Sequence, residues 1–228
     1  MPEITSITGR ILFNSRGTKT VEVDIITDDK FLGRVCAPSG ASVGKYEAIS
    51  FPNGKPEQSL SILNENSKKF LGCDASDVKL IHDIIKSIDD SENYSQIGGA
   101  CAFAITIAAA DSAAKSLETS LYRMLNKDDE LKFPFPLGNI LGGGAHAGPG
   151  TPDIQEVLVA SIGAKGIQEA IDMNLQVHKE LRNLIQIADP TFTNGRGDEG
   201  GWAPKFDNEK ALETVSYTHL TLPTICSV

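Results

Sequence analysis

Positive charge, paired cysteines, long apolar runs and a leader-like start are all scarce in this 228-residue chain, and each scarcity excludes something. Lysine and arginine number 21 against 30 aspartates and glutamates, a formal net charge of −9 with no basic cluster. A nucleic acid or other polyanion is therefore not an expected partner. An anionic small substrate stays compatible with that balance, because a bound metal ion can reverse the local field. The four cysteines, Cys36, Cys73, Cys101 and Cys226, are scattered and form no C-x-x-C pair. That is the pattern of reduced thiols in a cytoplasmic protein rather than of a disulfide framework. The most apolar segment, residues 100–110, is too short to span a bilayer, and its alanines read as a buried helix. Met1-Pro2-Glu3-Ile4 has no basic stretch leading into an apolar one, so neither a signal peptide nor a membrane partner is expected.

What is present is an ordinary apolar fraction of 40 %, enough for a real core. Residues 4–13 and 20–26 read as strands, with Val21, Val23 and Ile25 alternating with Glu22 and Asp24 in the period-2 pattern of a half-buried antiparallel pair. Asn14-Ser15-Arg16-Gly17 is the turn between them, and 31–37 is a third strand. A Gly/Ser/Pro-rich loop over 38–56 follows. Helices are expected over 57–70, over 77–88 with Ser76 or Asp77 as cap, after Gly98-Gly99, and over 119–125. Three strands and then helices make an α+β domain ending near Asp129.

Phe133-Pro134-Phe135-Pro136 reads as a junction. Beyond it, 138–141 and 154–161 read as buried strands. Residues 165–188 read as a long helix whose apolar face is Ile167, Ile171, Leu175, Leu181, Leu184, Ile185 and Ala188. Strands alternating with long helices suggest the beginning of a (β/α) barrel, with its site at strand C-terminal ends. A complete barrel takes about 250 residues, so 133–228 cannot close one. After a well-capped helix start at Asn208, the segment from Val215 turns to Ser, Thr and β-branched residues with Pro223 as a breaker.

Three stretches stand out chemically. Pro38-Ser39-Gly40-Ala41-Ser42-Val43-Gly44 is a small-residue loop. It is not a phosphate-binding P-loop, because only three residues separate its glycines and Tyr46 stands where Ser or Thr is needed. Gly142-Gly143-Gly144-Ala145-His146-Ala147-Gly148 follows, with Gln155-Glu156 close behind. Asn194-Gly195-Arg196-Gly197-Asp198-Glu199-Gly200-Gly201-Trp202-Ala203-Pro204 sets two adjacent carboxylates in free backbone, able to aim an acid at a small ligand.

These stretches in this order, with Ser15-Arg16-Gly17 and Thr20-Val21-Glu22-Val23 before them, resemble the enolase (phosphopyruvate hydratase) family over about 1–214. Thr151-Pro152-Asp153-Ile154-Gln155-Glu156 looks most like its archaeal members. The resemblance implies an enolase N-terminal α+β domain over 1–131, a three-stranded meander plus helices. It implies the first part of an incomplete (β/α)8 enolase-type barrel over 132–214. The tail 215–228 does not resemble the family and is expected to be non-native, like a translated sequencing adapter.

The implied reaction is the dehydration of 2-phosphoglycerate to phosphoenolpyruvate in glycolysis, with Mg2+ stabilising the enolate; enolase-type sites are themselves a known pattern of base plus magnesium. By resemblance Glu199 is the proton donor to the leaving hydroxyl. Gln155 and Glu156 contact substrate and orient that acid, and a carboxyl pair raises the pKa of a member through like-charge repulsion. His146 matches the histidine of a loop that closes over the substrate phosphate. Ser42 matches a serine that ligates the second magnesium, while Asp198 reads as a loop stabiliser. Arg16 and Glu22 match positions near a subunit interface, so a homodimer or higher assembly is implied. Asn14 and Lys19 depart from the usual Asp and Pro, and one residue is inserted between His146 and Gln155. The carboxylates of the first magnesium, the lysine base and the Arg/Ser phosphate grip have no counterpart, so the 228-residue chain is expected to be inactive. Two other readings remain: an acid-sugar dehydratase of the same superfamily, which the Ser42 loop and the Glu199 turn disfavour, and a non-catalytic interaction protein built on the N-terminal domain.

Overall fold

The computed structural model describes residues 1–38, 40, 43–126 and 132–221. The chain divides into two compact units, Met1–Asp129 and Glu130–Val228.

In the first unit, β1 (Ile4–Phe13), β2 (Lys19–Thr27) and β3 (Phe31–Cys36) form an antiparallel sheet in that order. Register follows the hydrophobic alternation. Ile7 pairs with Ile25 and Ile25 with Gly33; Gly9 pairs with Val23 and Val23 with Val35. These rows face the core, because a one-residue slip would turn them all to the other side. The alternate rows carry the charges. Arg10 pairs with Glu22 and, at 3.0 Å, with Asp24, while Arg34 Nε reaches Asp24 Oδ1 at 2.7 Å. Glu22 is buried but compensated within its own sheet. The Asn14 turn closes as expected, its side-chain oxygen accepting from the Arg16 and Thr18 backbone N–H groups.

The helices cover one face of that sheet. α1 (Pro56–Asn66) starts with proline at its first position and tightens into a single 3-10 turn at Ser67–Lys69, which splits the 57–70 segment expected as one helix. α2 (Val78–Ile88) is capped by Asp77, whose carboxylate accepts from Leu80 N at 2.9 Å. α3 (Gly99–Ser116) is the Ala-rich helix, buried along Ala100, Ala104, Ala108 and Ser112. Its small side chains let it approach the sheet closely. A Cβ on Gly33 would stand 2.0 Å from Ala108 O, so only glycine fits there. Ser112 Oγ and Lys115 Nζ each donate to β3 backbone oxygens at 2.7 Å. α4 (Leu121–Leu125) ends the unit.

In the second unit, β4 (Leu137–Gly142) and β5 (Glu156–Ala160) pair antiparallel. The segment at Trp202 lies parallel beside β4 through a single bridge to Leu141. The opening of this barrel is thus a hairpin, not two parallel strands joined by a helix. α5 (Ile167–Ala188) and α6 (Asn208–Thr221) complete the unit. The buried face of α5 is Ala170, Asn174, Val177, Leu181 and Ile185. Of the face expected from periodicity, Ile167, Ile171 and Leu175 are exposed. Asn174 is buried instead. Its amide donates to Pro136 O at 2.9 Å and accepts from Ser161 Oγ at 2.7 Å, so a polar residue occupies a core position that apolar spacing alone assigns to the surface. α6 continues past Thr214, with Val215 in the core; residues 222–228 lie outside the described ones.

Candidate active site

The hairpin β4–β5 explains why distant residues meet. β5 runs back along β4, so its first residue, Glu156, lies beside Gly142 at the C-terminal end of β4. Asn139 pairs with Leu158, and a residue two positions from Leu158 shares its face. Glu156 is therefore the diagonal neighbour of Asn139. Asn139 Nδ2 donates to Glu156 Oε2 and to Glu199 Oε2, each at 3.3 Å. The register slips between Asn139 and Leu141, the kind of irregularity that re-aims side chains near a site.

Glu199 arrives from the opposite direction, at the tip of a short hairpin. Arg196 bridges Trp202, Gly197 N donates to Gly201 O at 2.9 Å, and Gly200 takes a φ of +89°. Trp202 ties this hairpin to β4, donating to Ile140 O and accepting from Gly142 N.

His146 sits in the 3-10 turn Gly144–His146 after β4, with its ring largely buried. Its Nδ1 lies 3.2 Å from Asp198 Oδ1 and 3.4 Å from Glu199 Oε1. Asp198 Oδ1 is a carboxylate oxygen, which only accepts, so the ring proton belongs on Nδ1. Nε2 then accepts from Gln155 Nε2 at 3.0 Å. Asp198 also donates its backbone N–H to His146 O at 3.3 Å.

The Glu156 carboxyl is held above the ordinary glutamate range. The first cause is its hydrogen bond with Glu199, followed by desolvation and by the charge of Glu199, while His146 pulls the other way. The proton that Glu156 keeps lies against Glu199. The arrangement holds a proton more tightly than an isolated glutamate does and can pass it to a group placed against Glu199.

Of the residues expected from sequence, His146, Gln155, Glu156 and Glu199 come together here. Asp198 joins them as the partner of His146. Ser42 lies outside the described residues. Sequence reasoning missed Asn139, which bridges the two carboxyls; its signal was a lone amide inside the apolar strand Gly138–Leu141. It also missed His178 on α5, stacked on Trp202.

Magnesium takes hard oxygen donors in octahedral geometry and keeps several waters. Among the described residues, one group of His, Cys, Asp and Glu side chains lies close enough to hold a cation: His146, Asp198 and Glu199, with donor atoms within 4.8 Å of one another. It includes an imidazole nitrogen that already carries a proton between two carboxylates. That donor set does not suit magnesium.

Comparison with known proteins matches the chain to two family models, "Enolase, N-terminal domain" over residues 4–125 and "Enolase, C-terminal TIM barrel domain" over residues 130–219. Enolase of Methanosphaera stadtmanae is 47% identical over 205 residues, 90% of this chain and 49% of that protein. Enolase of Methanothermobacter thermautotrophicus is 46% identical over 211 residues, 92% and 50%. That of Halorubrum lacusprofundi is 38% identical over 217 residues, 94% and 53%. The chain thus spans about half the length of the curated relatives it matches. With both domain types matched along nearly all of its length, the chain belongs to the enolase family of lyases.

Proposed function

We propose that this chain supplies the acid side of an enolase active site, in a protein that dehydrates 2-phosphoglycerate to phosphoenolpyruvate. Glu199 passes to the leaving hydroxyl the proton that it shares with Glu156, and the hydroxyl departs as water with the electron pair of its C–O bond. Glu156 retains a proton where an ordinary glutamate has lost it, and with Asn139 it fixes the direction of the Glu199 carboxyl. His146, oriented by Gln155 and Asp198, faces the substrate phosphate. The α proton goes to a lysine base which, by resemblance, is not among these residues. The observation that carries the reading is the convergence of Glu156 and Glu199 on one asparagine amide, which brings a second carboxyl against Glu156 and raises it.

Magnesium, the expected cofactor, would draw on Ser42 and on oxygen ligands other than the His146 cluster. Self-association and residence in the cytoplasm belong to the same proposal; no described helix is long and apolar enough to cross a membrane.

The test is formation of phosphoenolpyruvate from 2-phosphoglycerate with magnesium, by the chain alone and by the chain mixed with the second half of Methanosphaera stadtmanae enolase. The chain alone is expected to be inactive and the mixture active. Glu199→Gln is expected to lower the mixture's turnover by roughly 10²–10⁴-fold, the worth of a positioned acid. Undiminished turnover in Glu199→Gln sinks the acid role, and turnover by the chain alone sinks the claim that it is inactive.

A further inference from the structure

We infer that His178 is a positioning residue for Glu199: from α5 it grips the Gly197–Gly201 turn that presents the acid. The inference rests on the acid role proposed for Glu199.

Glu199 stands at the end of a hairpin whose base is well held. The Trp202 arm is bonded to Ile140 and Gly142 of β4, and Ala203 N donates to Gly195 O at 2.9 Å. At the tip, Asp198 N is tied to His146 O at 3.3 Å on one side of Glu199, and Gly200 is tied on the other. Gly200, the residue after the acid, offers a carbonyl whose direction is set by its left-handed φ of +89°. His178 Nε2 reaches that carbonyl at 3.1 Å. A carbonyl only accepts, so Nε2 carries the proton and donates.

The same side chain is fixed by the hairpin it grips. Its ring stacks on Trp202 with centroids 4.5 Å apart and planes 27° apart. Trp202 Nε1 donates back to the His178 backbone oxygen at 2.7 Å. The clamp is reciprocal, ring to hairpin and indole to helix. Arg196 lies over the Trp202 ring at 4.4 Å; burial first, and then the charge of Arg196, lower the His178 pKa and so favour the neutral ring, while the bond to Gly200 opposes them. A neutral imidazole combines a flat stacking face with one donor, which neither Phe nor Gln does. Displacing the tip would move Glu199 away from Glu156 and Asn139, the two groups that define its direction.

The test uses the 228-residue chain labelled for NMR, in wild type, His178→Phe and His178→Gln. Trp202 is the sole tryptophan, so its emission reports the stack, while the Glu156 carboxyl resonance reports whether Glu199 is still beside it. His178→Phe keeps a stacking face and loses the donor. Its emission is expected to stay near wild type while the Glu156 midpoint falls toward that of an ordinary glutamate. His178→Gln restores a donor and is expected to bring the midpoint back. A wild-type midpoint in folded His178→Phe overturns the proposal, as does an equal fall in both variants. If His178→Phe does not fold, the ring nitrogens of the wild type decide: a proton on Nε2 protected from exchange supports the clamp, and a proton on Nδ1 overturns it. These outcomes are separate from the acid role, which stands or falls on turnover in Glu199→Gln.

Discussion

The two units solve the problem of seating a helix on a sheet in different ways. In the first, α3 presses so close to the sheet that Ala108 and Ser112 stand against Gly33, where no side chain fits. In the second, α5 rests on β4 and β5 through Ala170, Asn174, Val177, Leu181 and Ile185, and leaves Ile167, Ile171 and Leu175 exposed. Apolar spacing tells which residues favour burial. Which face is buried is decided by closeness of approach and by polar groups that find partners. The first unit follows its sequence pattern because its buried helix is mostly alanine, with Ile105 apolar as well and Ser112 bonded to β3. The second departs from it because one buried position is an asparagine.

The largest expected effect tests the close approach. Gly33→Ala places a methyl group 2.0 Å from the Ala108 carbonyl, backbone that cannot rotate away. Overpacking of this kind costs about 1–3 kcal/mol or more, and the first unit is expected to lose its cooperative melt by circular dichroism while Trp202 emission from the second unit persists. A wild-type melt would show that α3 moves off the sheet without cost. Next comes a pair on a single helix. Leu181 is fully buried and Leu175 is 61% exposed. Leu181→Ala is expected to cost about 2–5 kcal/mol and Leu175→Ala less than about 0.5 kcal/mol, both read by denaturant titration of Trp202. Equal costs would mean that the Ile167–Ile171–Leu175 stripe is covered in solution, and the contrast between the two units would collapse.

Much of this is legible in the sequence. The three-strand meander declared itself through Val21, Val23 and Ile25, and α2 through its apolar spacing behind Asp77. His146, Gln155, Glu156 and Glu199 were singled out by their glycine-rich surroundings and family order. Illegible were the contacts that depend on pairing across strands. Nothing local in Gly138-Asn139-Ile140 announces that Asn139 faces Glu156, because that follows from β5 running antiparallel, a tertiary fact. His178 was hidden likewise, since its meaning lies in a tryptophan 24 residues on. The face of α5 was misread because a buried asparagine carries the same letter as an exposed one.

A smaller effect sharpens the first half of the comparison. Asp77 caps α2 through Leu80 N, so Asp77→Ala is expected to cost ~1 kcal/mol, and Asp77→Asn much less. Urea titration of the first unit by circular dichroism reads both. If the two substitutions cost the same, the charge rather than the accepting oxygen is what matters, through the positive end of the helix.

The smallest effect separates the units by sign. In the first, the Arg34 guanidinium holds the Asp24 carboxyl below its ordinary value, against desolvation. Its contribution is complete above the unfolded aspartate pKa and fades as pH falls through the lower folded value. In the second, the hydrogen bond with Glu199 raises the Glu156 carboxyl. The folded chain then binds that proton more tightly than the unfolded chain, so the contribution is complete below the unfolded glutamate pKa and is lost as pH rises through the folded value. Acidification from neutral pH should thus weaken the first unit's Asp24 network while it relieves the second unit's carboxyl pair. In Glu199→Gln the Glu156 carboxyl is expected to fall toward the ordinary glutamate range, with only desolvation still raising it. The pH dependence of Trp202-monitored melting should then flatten above that range, with the first unit unchanged. If Glu156 titrates identically in Glu199→Gln, burial rather than the neighbouring acid raises it, and Glu199 is not held against it in solution.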